Sequence, residues 1–194
     1  EVWFDGANGG DGWYGGAKEN RTIDRKNYYN YPEIYKMLSE LQPKAIIFSD
    51  GGPGCRWVGN EKGFAGATNW SFLRTGEVFP GYEKYRTLQY GHADGDQWVA
   101  AECDVSIRPG WFYHPEEDNQ VKNVDQLTDL YYRSVGHNAT LLLNFPIDRN
   151  GLIHPIDSAN AVNFYENIQK QLANNLLAGI TPSVSNERGG KFTA

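Results

Sequence analysis

Apolar residues in this chain fall into short unbroken runs, each bounded by turn-forming residues and followed by a stretch with helical spacing. Glu1 to Ala7 (with Val2, Trp3 and Phe4), Lys44 to Ser49 (KAIIFS), Trp98 to Val105 (WVAAECDV) and Ala139 to Phe145 (ATLLLNF) are continuous rather than alternating, as strands covered on both faces are. Pro32 opens a helix with Ile34, Met37, Leu38 and Leu41 on one face, and Pro43 stops it. Asp125 is the expected cap of a second helix carrying Leu127, Leu130, Tyr131 and Val135. Asp157 is the expected cap of a third, with Val162, Tyr165, Ile168, Leu172 and Leu176 on its buried side and Gly179 at its end. Long loops cover the glycine-rich stretch from Gly6 to Gly16, Asp50 to Arg74, and Ser106 to Asn123.

Strand, loop and helix in repetition predict βαβ units on a parallel sheet. The fold class is α/β, a partial (β/α)8-type barrel with about four parallel strands and flanking helices. A complete barrel needs about 250 residues, so the chain would be roughly the second half of one. Polar residues gather at the expected C-terminal strand ends: Asp5, Asp50, Arg56, Glu102, Asp104 and Asn144. A barrel places its active site on that rim. No G-x-G-x-x-G follows a strand in a phosphate-binding context, which argues against a nucleotide site.

Charge and apolar run length each remove one class. With 18 Lys+Arg against 24 Asp+Glu, the net charge of −6 excludes a basic nucleic-acid platform. No apolar run approaches the roughly 18 residues that a membrane-spanning helix needs. Composition adds a third point, since aromatics are 14% of the chain and glycine numbers 22. Rings on ordered loops suit sugars, whose apolar faces stack on them while polar groups hold the hydroxyls; an aromatic core would have the same composition. Cys55 and Cys103 make no C-x-x-C pair and no disulfide framework. His92, His114, His137 and His154 lack metal-ligand spacing, and the Asp5-Asn8-Asp11 loop fails the EF-hand pattern. Metal and cofactor are therefore expected to be none. Sequons at Asn20, Asn69 and Asn138 are short enough to arise by chance.

Three carboxylates are candidates for chemistry. Asp5 ends a strand and precedes Gly6, where a sugar carbon can approach without obstruction, although an Asx turn opening the glycine loop would need the same residue. Glu61 lies between Gly59 and Gly63 on a loop able to reach over a barrel rim. Glu102 shares one strand face with Asp104. The local chemistry does not choose between Glu61 and Glu102, and a buried pair ordering loops through Arg108 is the alternative for the strand carboxylates. Trp111 and Phe112 are candidates for an apolar wall or a platform for a sugar.

EVWFDGANG (1–9), FSDGGPGCRWVGNEKG (48–63) and AECDVSIRPGWFYH (101–114), in this order, resemble the α-L-fucosidases of glycoside hydrolase family 29. VWFDGANG and RWVGNE look like the branch that prefers α-1,3/1,4-linked fucose. The resemblance runs on through LLLNFPIDRNGLI (141–153). It implies a retaining, exo-acting glycosidase with Asp5 as nucleophile and Glu61 as acid/base, Glu102 being the second choice for the latter. Such an acid must be protonated near neutral pH, which burial against a ring such as Trp57 would favour. By the same resemblance Arg56 would touch the sugar near its ring oxygen and Trp3 would pack on fucose, with Trp57, Trp111 and Phe112 as further binding residues. Residues 1–178 would then be the C-terminal half of the catalytic domain, and 179–194 a linker into a β-sandwich. The implied partners are a fucosylated oligosaccharide or glycoconjugate and the missing N-terminal half of the barrel, whose strands carry the family's sugar-binding histidines. A secreted, periplasmic or lysosome-like compartment is the family's expectation. The competing class is a catalytically inactive carbohydrate-binding relative.

Overall fold

A computed structural model describes residues 1–6, 19–181 and 183. In chain order its main elements are β1 (Val2–Trp3), α1 (Tyr31–Leu41), β2 (Ile47–Ser49), β3 (Cys55–Trp57), β4 (Phe72–Leu73), β5 (Gln97–Trp98), β6 (Ala100–Ser106), α2 (Val124–Ser134), β7 (Ala139–Asn144) and α3 (Pro155–Gln171). Five strands form one sheet in the order β1-β2-β3-β6-β7, every neighbouring pair parallel. The sheet curls as part of a (β/α) barrel, and β4 and β5 make a separate antiparallel pair beside it. The glycine-rich loop expected after the first strand, with Ala7 and the Asn8 and Asp11 positions, lies outside the described residues.

The fifth strand is a correction. β3 lies inside the stretch expected to be loop, because three residues are too few to show a period. It is held close to β2 by Gly54, where a Cβ would stand 2.6 Å from the Ile47 nitrogen. The expected start of the third strand also moves: Trp98 belongs to β5, and the parallel strand runs from Ala100 to Ser106.

β6 is the centre of the packing, buried from Ala101 to Ser106 on both faces. Ala101 and Cys103 pack outward against Val58 and Ala65, while Val105 and Ile107 meet Leu127 and Leu130 of α2. Glu102, Asp104 and Ser106 alternate onto the concave side. Helix α2 starts at Asn123, not Asp125: the Asn123 side chain accepts from the Gln126 N–H, and the Gln126 side chain accepts from the Asn123 N–H, a reciprocal capping box.

Helix α3 departs further from expectation. His154 caps it, followed by Pro155, and Asp157 turns inward instead. There it meets Arg108 through two 2.8 Å contacts, both side chains having no exposure. Arg108 also donates to Asp118 and lies over the Tyr113 ring, so it orders the loop after β6 without involving Glu102 or Asp104. The helix ends at Gln171, short of Gly179. Of its expected buried face only Ile168 is covered, while Val162, Tyr165, Leu172 and Leu176 are exposed. The covered side is the one turned to α2, with Phe164 beside Tyr131 and Asn167 donating to Thr128.

Candidate active site

The concave rim opens into a cavity of about 660 Å³. Each strand of the main sheet supplies it from its C-terminal end: Trp3 with Phe4 and Asp5 from β1, Phe48 and Asp50 from β2, Trp57 from β3, Asp104 from β6 and Asn144 from β7. Loops add Glu61, Trp111 and Phe112. Asp5 and Glu61, separated by a long stretch of sequence, thus border the same space. Both are exposed. Asp5 Oδ1 accepts from the Gly6 N–H at 2.6 Å, and Glu61 Oε2 accepts from the Trp111 indole N–H at 3.1 Å. The expected sheltering of Glu61 by burial is not found, and the ring that hydrogen-bonds to it is Trp111 rather than Trp57.

Three of the rings are fixed by neighbours. Trp3 stacks on Phe48 with centroids 3.9 Å apart. Trp57 stacks on Tyr85 and donates its N–H to Asp104 Oδ1 at 2.8 Å. The Trp111 carbonyl accepts from Asn144 Nδ2 at 3.1 Å. Phe112 is 78% exposed at the mouth.

Burial pushes Asp104 up to about 6; the Trp57 N–H works against it, and the charges of Glu61 and Asp5 add to it. Asp50 is raised too, first by burial, with the Gly81 N–H opposing and Asp5 adding. The cavity floor thus holds carboxyls that resist ionisation beneath exposed ones at the rim.

Two expected site residues lie elsewhere. Arg56 is completely buried on the opposite side of β3 from Trp57, as alternation requires of adjacent residues. Its guanidinium donates to the carbonyls of Leu88, Val99 and Trp70 and to Asn69 Oδ1. Four of its five N–H donors are spent behind the sheet and the side chain has no exposure, so it does not border the cavity where the resemblance would have it touch the sugar. Glu102 sits two residues nearer the bottom of the curl than Asp104 and does not border the cavity. Its Oε2 accepts from Thr140, while its buried Oε1 has no partner among the described residues. Beside it are Glu1 and Cys55, and burial first, then the two carboxylates, push the Cys55 thiol up, which makes it a poor thiolate donor.

Asp50, Asp104 and Asn144 were visible in the sequence as rim residues but carried no role. The available signal was position: on β6 the later of two same-face carboxylates is the one that reaches the rim.

Carboxylates and aromatic faces converging at the C-terminal edge of a curled parallel sheet define a (β/α)-barrel protein with its candidate site on the rim. The comparisons make this specific. The chain is 42% identical over 194 residues to alpha-L-fucosidase 1 of Arabidopsis thaliana, covering 97% of this chain and 35% of the relative. A glycoside hydrolase 29 family member from an unknown rumen bacterium superposes with a TM-score of 0.80 at 52% identity, over 96% of this chain and 33% of the other. A Ruminococcus gnavus GH29 fucosidase in complex with fucose gives 0.68 at 30% identity, over 90% and 34%. No family model matches the chain. By sequence and fold the chain belongs to glycoside hydrolase family 29, and it spans about a third of the length of the relatives it matches.

Proposed function

We propose that this chain is the part of a retaining, exo-acting α-L-fucosidase that carries both catalytic carboxylates, and that the enzyme releases α-1,3/1,4-linked L-fucose from oligosaccharides or glycoconjugates. The observation that carries the reading is that Asp5 and Glu61 border one ring-lined cavity with Trp3, Trp57 and Trp111. A family relative bound to fucose supports the choice of sugar, and the VWFDGANG and RWVGNE segments support the linkage.

In the first step an Asp5 oxygen forms a bond to the anomeric carbon as the bond to the leaving oxygen breaks, and Glu61 gives that oxygen its proton. In the second, Glu61 takes a proton from water, the water oxygen attacks the anomeric carbon, and Asp5 leaves as carboxylate. Two inversions give net retention. Trp3, already stacked on Phe48, offers a rigid edge or face to the deoxy sugar.

The test is Asp5→Ala in the full-length protein. Activity on an aryl α-L-fucoside should fall by at least about 10³-fold, and azide should restore turnover while giving an inverted glycosyl azide. Undiminished turnover would remove Asp5 from the mechanism. Fucose binding by the parent protein with no turnover would favour the inactive carbohydrate-binding reading.

A further inference from the structure

Glu61 is an exposed side chain on a loop, yet an acid/base group must meet one oxygen atom of the substrate within hydrogen-bond reach. Its own segment does little to fix the carboxyl: Asn60 closes a local turn by donating to the Phe64 carbonyl and accepting from the Lys62 N–H, and neither bond touches the Glu61 side chain. The hydrogen bond that does reach the carboxyl comes from another loop, where the Trp111 indole N–H donates to Oε2.

Trp111 is itself well anchored. Asn144, the last residue of β7, donates through Nδ2 both to the Trp111 carbonyl and to Ser106 Oγ at the end of β6, each at 3.1 Å. Three residues before Trp111, the buried Arg108 is clamped by Asp157 and Asp118 and donates to the His114 carbonyl. The loop that presents the indole is thus tied to two adjacent strand ends and to the start of α3.

We propose that Trp111 is a positioning residue for Glu61: its N–H fixes one carboxyl oxygen and leaves the other, Oε1, to hold the proton that goes to the leaving oxygen. The proposal rests on the reading of Glu61 as acid/base. Oε2, already accepting a hydrogen bond, is the oxygen disfavoured for protonation, because the carbonyl oxygen of a carboxylic acid accepts a hydrogen bond better than its hydroxyl oxygen does. As the glycosidic bond breaks, its electron pair goes to the leaving oxygen, the proton passes from Oε1 to that oxygen, and the indole bond to Oε2 persists. In the second step Oε1 receives the proton of water.

The experiment uses the full-length protein and two substrates. One is a fucosyl disaccharide, whose leaving oxygen needs a proton; the other is α-L-fucosyl fluoride, whose fluoride departs without one. Trp111→Phe should lower kcat/KM, which reports the first step alone, about 10-fold more on the disaccharide than on the fluoride, on top of any loss that the altered cavity wall imposes equally on both. Trp111→His, which restores an N–H on a ring, should recover part of the loss. Benzothienylalanine at position 111, with sulfur in place of the N–H in a ring of the same size, should reproduce Trp111→Phe even if the smaller ring disturbs folding. Equal losses of kcat/KM on both substrates, or none on either, would overturn the proposal. Glu61→Gln run in parallel separates the two readings. If it also shows no dependence on the leaving group, the role of Glu61 falls and the proposal with it. If it shows that dependence and Trp111→Phe does not, only the positioning role is overturned.

Discussion

Asp104 combines nearly complete burial with a place on the cavity floor, and its carboxyl titrates near 6 because burial disfavours the charge and the Glu61 and Asp5 charges oppose it further. A folded-state value above the ordinary 3.8 means that the native protein holds this proton more tightly than the unfolded chain. Its contribution to stability is therefore fully present below about pH 4 and is lost as pH rises to about 6, an effect of about 3 kcal/mol. Asp104→Asn keeps an acceptor for the Trp57 N–H and removes the charge. In denaturation curves, the variant should match the parent near pH 4 and exceed it by up to that amount at pH 7; equal stability at both pH values would contradict the argument. Single residues were unequally legible in the sequence. Asp5 and Glu61 stand in segments whose glycines and rings mark them as exposed and approachable, and the cavity contains both. Arg56 did not show its direction, because on a three-residue strand nothing in the sequence says which side faces the sugar.

At the scale of elements, the parallel strands and helices were readable wherever an apolar run was long enough to reveal its period. β3 was too short for that, and its central arginine reads as a loop residue. Helix ends shifted for a different reason: Asp125 and Asp157 are both good caps in isolation, but Asn123 with Gln126 makes two reciprocal bonds, and Asp157 is claimed by Arg108. That second choice carries a measurable consequence. Asp157→Asn leaves a fully buried guanidinium short of its bidentate partner, with only the partly exposed Asp118 carboxylate remaining. We expect it to cost about 3 kcal/mol in urea denaturation, whereas Asp118→Asn should cost clearly less. Comparable losses from the two would show that burial does not set the strength of this pair.

On the scale of the whole molecule, the five-stranded curled sheet has β1 and β7 as its outer strands among the described residues, and α3 turns Val162 and Tyr165 to solvent. Open strand edges and uncovered apolar faces favour association over a stable free state. Together with a span of about a third of its relatives, this leads us to expect residues 1–194 alone to turn over an aryl α-L-fucoside at least about 10³-fold more slowly than the full-length enzyme, since most of the rate rests on a complete, preorganised site. Matching rates would refute that expectation. The helical face that sequence periodicity assigned to a core is exposed apart from Ile168; periodicity shows that a face is apolar and does not encode whether a neighbour covers it. The buried Arg56 matters at this scale too. Its guanidinium fastens the segment around Asn69, Trp70, Leu88 and Val99 to the back of the strand whose next residue, Trp57, forms the cavity wall. Damage to that remote segment would reach the cavity wall through Arg56 and through the Tyr85 ring under Trp57, so a survey of variants judged by activity alone would draw the pocket larger than it is.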